Sequence, residues 1–249
     1  MGILWVILSW GAIIFIWSLQ AKAEQQRRAE AVQARQREIT NLLLDSMAKM
    51  LAMISKADGR ISKGEVETAS RCLKSLGLTE EEYRRCVTAF NSVDSASDAA
   101  LRRCAREFAA VATVEARVLV YEMLWVVTAA DGVLASGESR LLVAAADALG
   151  IDPSYYAYFR NRYFSADSEG AVNAGGHDDG LRKAYAKLGC TPSSTDEEVR
   201  SAYRKLAMRY HPDRLKADGV PDGMIAMANR SMAEINAAWE TIKRERSRR

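Results

Sequence analysis

Asp196-Glu-Glu-Val-Arg-Ser-Ala-Tyr-Arg-Lys-Leu-Ala-Met-Arg-Tyr210 runs straight into His211-Pro212-Asp213, and this stretch decides how the C-terminal part of the chain folds. Val199, Tyr203, Leu206 and Tyr210 recur at helical spacing, so the segment predicts an amphipathic helix with one buried stripe. Pro212 stops it, because proline lacks an amide proton and pushes the residue before it out of the helical region. Further on, Ala233-Glu-Ile-Asn-Ala-Ala-Trp-Glu-Thr-Ile242 places Ile235, Trp239 and Ile242 on one face of a second helix. Two antiparallel helices joined through these stripes present an imidazole and a carboxylate at a rigid, exposed turn.

Residues 181–249 resemble the J domain, the module by which DnaJ-type co-chaperones activate DnaK-type ATPase chaperones. The resemblance rests on Tyr185-Ala-Lys-Leu-Gly189, the acidic start of the second helix, His211-Pro212-Asp213 at the right offset, and Ile235-Asn-x-Ala-Trp239. It implies that His211, Pro212 and Asp213 contact a DnaK-type partner, and that the basic face of the second helix meets an acidic surface there. Arg200 and Arg204 are four residues apart, as are Lys205 and Arg209, so that helix carries two adjacent basic ridges. Trp239 stands where the family commonly has tyrosine, and still supplies an aromatic ring for packing.

The formal net charge is only +3, which by itself points to no polyanionic partner. Residues 20–40 and 181–249 are net positive and 166–180 net negative. Cys72, Cys86, Cys104 and Cys190 show neither a CxxC nor a Cys/His metal spacing, so the sequence predicts neither zinc nor a disulfide framework. Nucleic acid is not an expected partner. Although Arg244, Arg246, Arg248 and Arg249 follow a basic helix, the aromatic residues Tyr203, Tyr210 and Trp239 read as core rather than as stacking platforms.

Gly2 to Leu19 carries no charge and is nearly all apolar. As a helix it spans about 27 Å, against a hydrocarbon core of roughly 30 Å, with Trp5 and Trp17 near its ends. Lys22, Arg27, Arg28, Arg35 and Arg37 follow. The positive-inside tendency then predicts a single-pass anchor with the N-terminus outside and the bulk of the chain cytoplasmic, and the resemblance to DnaJ-type co-chaperones implies that the membrane is the bacterial inner membrane. A cleaved signal peptide is the competing reading, with Ala21-Lys22-Ala23 as its cleavage site, but the positive n-region is missing and the apolar run is long. No GxxxG pattern specifies pairing of this helix, so a homodimer is neither supported nor excluded.

The middle of the chain is a repeat. Met50-Leu-Ala-Met-Ile-Ser-Lys-Ala-Asp-Gly59 lines up with Met123-Leu-Trp-Val-Val-Thr-Ala-Ala-Asp-Gly132, and the register continues without a gap. Gly64-Glu65 then matches Gly137-Glu138, Leu76-Gly-Leu78 matches Leu149-Gly-Ile151, and Tyr83 matches Tyr156. Each copy reads as an apolar helix, a turn at Asp-Gly, a second helix and a Leu-Gly break, which predicts an all-α bundle of about seven helices over 41–164. Met47, Met50, Met53 and Met123 lie on apolar faces and read as core. The two copies resemble the TerB family, named for tellurite resistance. That resemblance implies acidic positions that bind a divalent cation: Asp58 and Glu65, paired with Asp131 and Glu138. The same residues also read as structural, with each aspartate closing a turn and each glutamate in the first turn of a helix. Ser62-Lys-Gly-Glu65 has the form of a capping box. An EF-hand is excluded, because it needs oxygen ligands at alternating positions of a longer loop.

The expected order is therefore a transmembrane anchor (1–20), a charged helical connector (21–40), a TerB-like helical domain (41–164), a Gly/Asp-rich flexible linker (165–180) and a J domain (181–249). The whole resembles the DjlA type of membrane-anchored DnaJ-like protein, including the longer loop Arg214–Met224 after the tripeptide. No catalytic constellation or phosphate loop is visible, and His177 and His211 are the only histidines. The expectation is a co-chaperone that activates another protein's ATP hydrolysis, requires no cofactor of its own, and serves client proteins the sequence does not name. The alternative is a stress or divalent-cation sensing scaffold in which the TerB-like domain acts and the J domain is auxiliary.

Overall fold

The computed structural model describes residues 2–57, 63–164, 178–211, 213, 215 and 222–248, with the side chains of 2–16, 18, 19, 63, 178 and 179 left outside the description. Among the described residues there is no strand. The helices are α1 (Gly2–Ile54), α2 (Lys63–Lys74), α3 (Glu80–Asn91), α4 (Asp98–Val111) and α5 (Val114–Thr128), then α6 (Ser136–Leu149), α7 (Ser154–Phe164), α8 (Asp178–Lys187), α9 (Asp196–Arg209) and α10 (Asp222–Arg246). A short 3-10 turn, Ala129–Asp131, follows α5.

The chain divides into two compact units, Met1–Asn41 and Leu42–Arg249. The first is helical, and its charged stretch is exposed, with Arg28 paired to Glu24 at 2.6 Å and Gln26 bonded to Glu30 at 3.0 Å, each one turn apart. Among the described residues no helix is long and apolar enough to cross a membrane. The run Gly2–Leu19, on which the anchor reading rests, has only Trp17 among its described side chains.

The second unit holds both expected globular parts. α5 is largely apolar, and Val118, Leu119, Tyr121, Met123, Leu124, Trp125 and Val127 are all buried, as befits a central helix. Leu44, Met47, Met50, Leu51, Met53 and Ile54 at the end of α1 are equally buried, so the four methionines are core as read. Trp125 lies between Tyr156 (5.2 Å between centroids, edge-on) and Phe159 (6.4 Å, stacked). Helix starts are set locally. Thr79 and Glu82 form a reciprocal capping box at α3, as Thr195 and Glu198 do at α9, while Ser97 and Thr113 cap α4 and α5.

The repeat is visible in the element boundaries: the end of α1, α2 and α3 in the first copy correspond to α5, α6 and α7 in the second, with α4 between them. Gly150 ends α6 in the left-handed conformation, and Ile151 N–H reaches back to Ala146 O at 2.9 Å. In the C-terminal part, Tyr185, Leu188, Val199, Leu206, Tyr210, Ile235 and Ile242 are buried, and Tyr203 stacks on Trp239 at 4.8 Å. Arg246 closes this part. Its guanidinium lies over the Tyr185 ring, donates to Tyr185 Oη at 2.7 Å and to Ser194 O at 2.6 Å, and pairs with Asp196. The tail arginine is thus spent on the fold. Residues 165–177 of the expected linker lie outside the described residues, and α8 already begins at Asp178, inside the stretch read as a tether.

Candidate functional site: an exposed tip held against the helical domain

Tyr210 caps the C-terminus of α9, its N–H bonded to Leu206 O, and the chain turns out of the helix at His211. The His211 side chain is 51 % exposed and that of Asp213 80 %. Asp213 N–H donates to His211 Nδ1 at 3.3 Å and its carboxylate lies 4.0 Å from the same nitrogen. Pro212 lies outside the described residues.

The two basic ridges of α9 have different surroundings. Arg200 is exposed, and Arg204 is exposed with a pairing to Glu197 at 2.8 Å. Lys205 and Arg209 instead line a groove whose other wall is Asp152, Tyr155 and Tyr158 of the helical domain. Arg209 stacks its guanidinium over Tyr155 at 5.0 Å. The Asp152 carboxyl is held below its ordinary range, first by hydrogen bonds from Ser154 and then by the nearby Lys205 and Arg209 charges.

This contact is part of a wider seam. Gly223 N–H, in the first turn of α10, donates to Leu76 O at 2.8 Å. Arg162 of α7 bonds Glu234 of α10 at 2.9 Å, and Lys187 of α8 lies 3.5 Å from the same carboxylate. At the centre is Glu122 of α5, 2 % exposed, which accepts from Tyr210 Oη (3.0 Å), Ser231 Oγ (3.2 Å) and Tyr163 Oη (3.3 Å) and lies 3.6 Å from Arg162. Burial pushes its carboxyl above the ordinary glutamate range, while Arg162 and the three hydroxyls act in the opposite direction. A carboxyl raised in this way binds its proton more tightly in the assembled state. The seam is therefore expected to tighten as pH falls through the interval just above the ordinary value of about 4.3, and to loosen as pH rises through the raised value. Amide exchange of α7 and α10 against pH measures this, and Glu122→Gln should flatten the profile.

The residues expected to take a cation are placed as follows. Glu65 and Glu138 are buried in first helical turns, and Glu138 Oε2 accepts from Ala135 N at 2.8 Å. Asp131 Oδ1 accepts from Val133 N at 3.0 Å, closing its turn. Asp58 and Ser62 lie outside the described residues, and among the described residues no three His, Cys, Asp or Glu side chains converge on one point. Asp131 and Glu138 are thus each engaged by a backbone amide.

Two family profiles match the chain: tellurite resistance protein TerB over residues 44–161, and the DnaJ domain over residues 183–249. The chain joins a TerB domain to a C-terminal DnaJ domain. It is similar to proteins named co-chaperone protein DjlA. The one from Shewanella oneidensis is 29% identical, over 80% of this chain and 76% of its own length. That of Coxiella burnetii is 26% identical over 84% and 79%, and that of Escherichia coli K12 26% identical over 95% and 92%. The resemblance to the DjlA type therefore extends over most of the chain. No solved structure matches it.

Neither Glu122 nor Arg162 stands out in a reading by motif. One signal was present: Glu122 is the only charge in the otherwise apolar run from Val118 to Val127, which makes it a buried carboxylate in need of partners.

Proposed function

We propose that the chain is a membrane-anchored, DnaJ-like co-chaperone that stimulates ATP hydrolysis by a cytoplasmic DnaK-type chaperone and is not itself an enzyme. The observation that carries this reading is the exposed His211 and Asp213 at the end of a capped basic helix within a DnaJ domain. His211, Pro212 and Asp213 would engage the partner, with Arg200, Arg204, Lys205 and Arg209 supplying the positive field that steers it in. The relatives named co-chaperone protein DjlA support the assignment. The uncharged run Gly2–Leu19, followed by basic residues, supports the anchor and its orientation.

The test is single-turnover ATP hydrolysis by the organism's DnaK-type chaperone with the full chain added in detergent. Wild type should accelerate hydrolysis, and absence of acceleration with an intact fold overturns the reading. Arg204 is exposed and its pair with Glu197 is a surface one, worth at most about 1 kcal/mol, so its charge is available to a partner. Arg204→Glu should therefore raise the half-saturating concentration by about ten-fold at low salt, with the difference shrinking as salt is added and the maximal rate kept. Titrating co-chaperone at two ionic strengths measures both.

A further inference from the structure

Glu122 draws its hydrogen-bond and ion-pair partners from two domains at once. Tyr163 and Arg162 come from the TerB domain, and Tyr210 and Ser231 from the DnaJ domain. A buried carboxylate is tolerated only when its oxygens are fully engaged, and here that condition is met only while the domains are together. Tyr210 is both the cap of α9 and the residue directly before His211. Its ring is fully buried, so the group that holds its hydroxyl also holds the backbone leading into the tip. The contact is reinforced at separate points, by the Gly223–Leu76 backbone bond, the Arg162–Glu234 pair and Arg209 over Tyr155. None of this covers His211 or Asp213, which stay exposed.

We propose that Glu122 is a positioning residue: through Tyr210 it fixes the His211–Asp213 tip, so that the TerB domain is the platform from which the DnaJ domain acts. This deepens the co-chaperone reading and rests on it. Glu122 touches no partner and no nucleotide in this role. Its effect belongs in the rate reached at saturation rather than in the concentration needed to reach it.

The experiment compares full-length wild type, Glu122→Ala, Glu122→Gln and Tyr210→Phe, reading single-turnover ATP hydrolysis by the DnaK-type chaperone alongside amide hydrogen exchange. Glu122→Ala should lower maximal stimulation by about five-fold or more with less than about a two-fold change in half-saturating concentration, and exchange should rise in α7 and α10. Glu122→Gln, which keeps an acceptor and a similar shape, should restore most of the stimulation. Faster exchange with unchanged or increased stimulation in Glu122→Ala overturns the proposal, as does exchange that does not change at all. Should Glu122→Ala lose its fold, Tyr210→Phe decides. Removing that one hydroxyl should lower maximal stimulation and raise exchange in α10, and no effect on either overturns the idea. A wild-type chain that fails to stimulate overturns the co-chaperone reading and with it the platform's role in activation, while the exchange data still report separately whether Glu122 holds the seam.

Discussion

His211→Gln is expected to bring ATP hydrolysis by the DnaK-type chaperone back to its unstimulated rate while leaving the thermal unfolding of the chain where it was. Both halves follow from the same surroundings. The imidazole is half exposed, and its described contacts are local, to Asp213. Replacing it removes little packing, and surface substitutions of this kind typically change stability by no more than about 0.5 kcal/mol. Stimulation, by contrast, would depend on the imidazole presented at the tip, whose planar ring glutamine does not reproduce. Circular dichroism melting and single-turnover hydrolysis, measured on the same preparations, separate the two effects. Full stimulation by the variant would remove the tripeptide from the mechanism.

Gly223→Ala is expected to break the seam between the two domains, an effect opposite in sign to what the helix alone would show. In an isolated helix, alanine for glycine is favourable by about 1 kcal/mol. Here a Cβ on residue 223 would sit 1.9 Å from Leu76 Cα and 2.4 Å from Leu76 O. Those are backbone atoms in the turn just after α2 and cannot swing aside as a side chain would, so α10 has to move away. Overpacking costs about 1–3 kcal/mol in cores that can adjust, and more is expected where the obstacle is main chain. The Gly223–Leu76 hydrogen bond goes with it. The full chain should melt several degrees lower, with faster amide exchange at residues 73–77 and in the first turns of α10. An unchanged melt and unchanged exchange would mean that the seam does not persist in solution.

Much of this architecture could be read before any coordinates, because it is carried by local patterns. The stripes Val199–Leu206–Tyr210 and Ile235–Ile242 are buried as their periodicity requires, and Tyr203 meets Trp239 across the same helix pair. The 73-residue register of the repeat predicted α5, α6 and α7 from their counterparts, because each copy buries the same faces and ends on the same glycine. What local pattern could not supply was the pairing between parts distant in sequence. Glu122 and Ser231, or Leu76 and Gly223, share no periodicity and no motif, and come together only because three helices of one domain meet the other. The split of the α9 ridges has the same origin. Arg200 and Arg204 look alike to Lys205 and Arg209 in sequence, and differ because Tyr155 and Asp152 stand beside only one pair.

The Glu122 contact also bears on modularity. A DnaJ domain invites treatment as an exchangeable cassette, cut at the preceding loop and grafted onto another scaffold. In this chain such a chimera would carry away the hydroxyls of Tyr210 and Ser231 and leave Glu122 with only part of its partners, Tyr163 and Arg162, so neither fragment would be whole. Family boundaries drawn along the sequence mark where ancestry changes. The physical unit of inheritance here is the pair, and a donor DnaJ domain would have to bring a matching α5 and α7 with it.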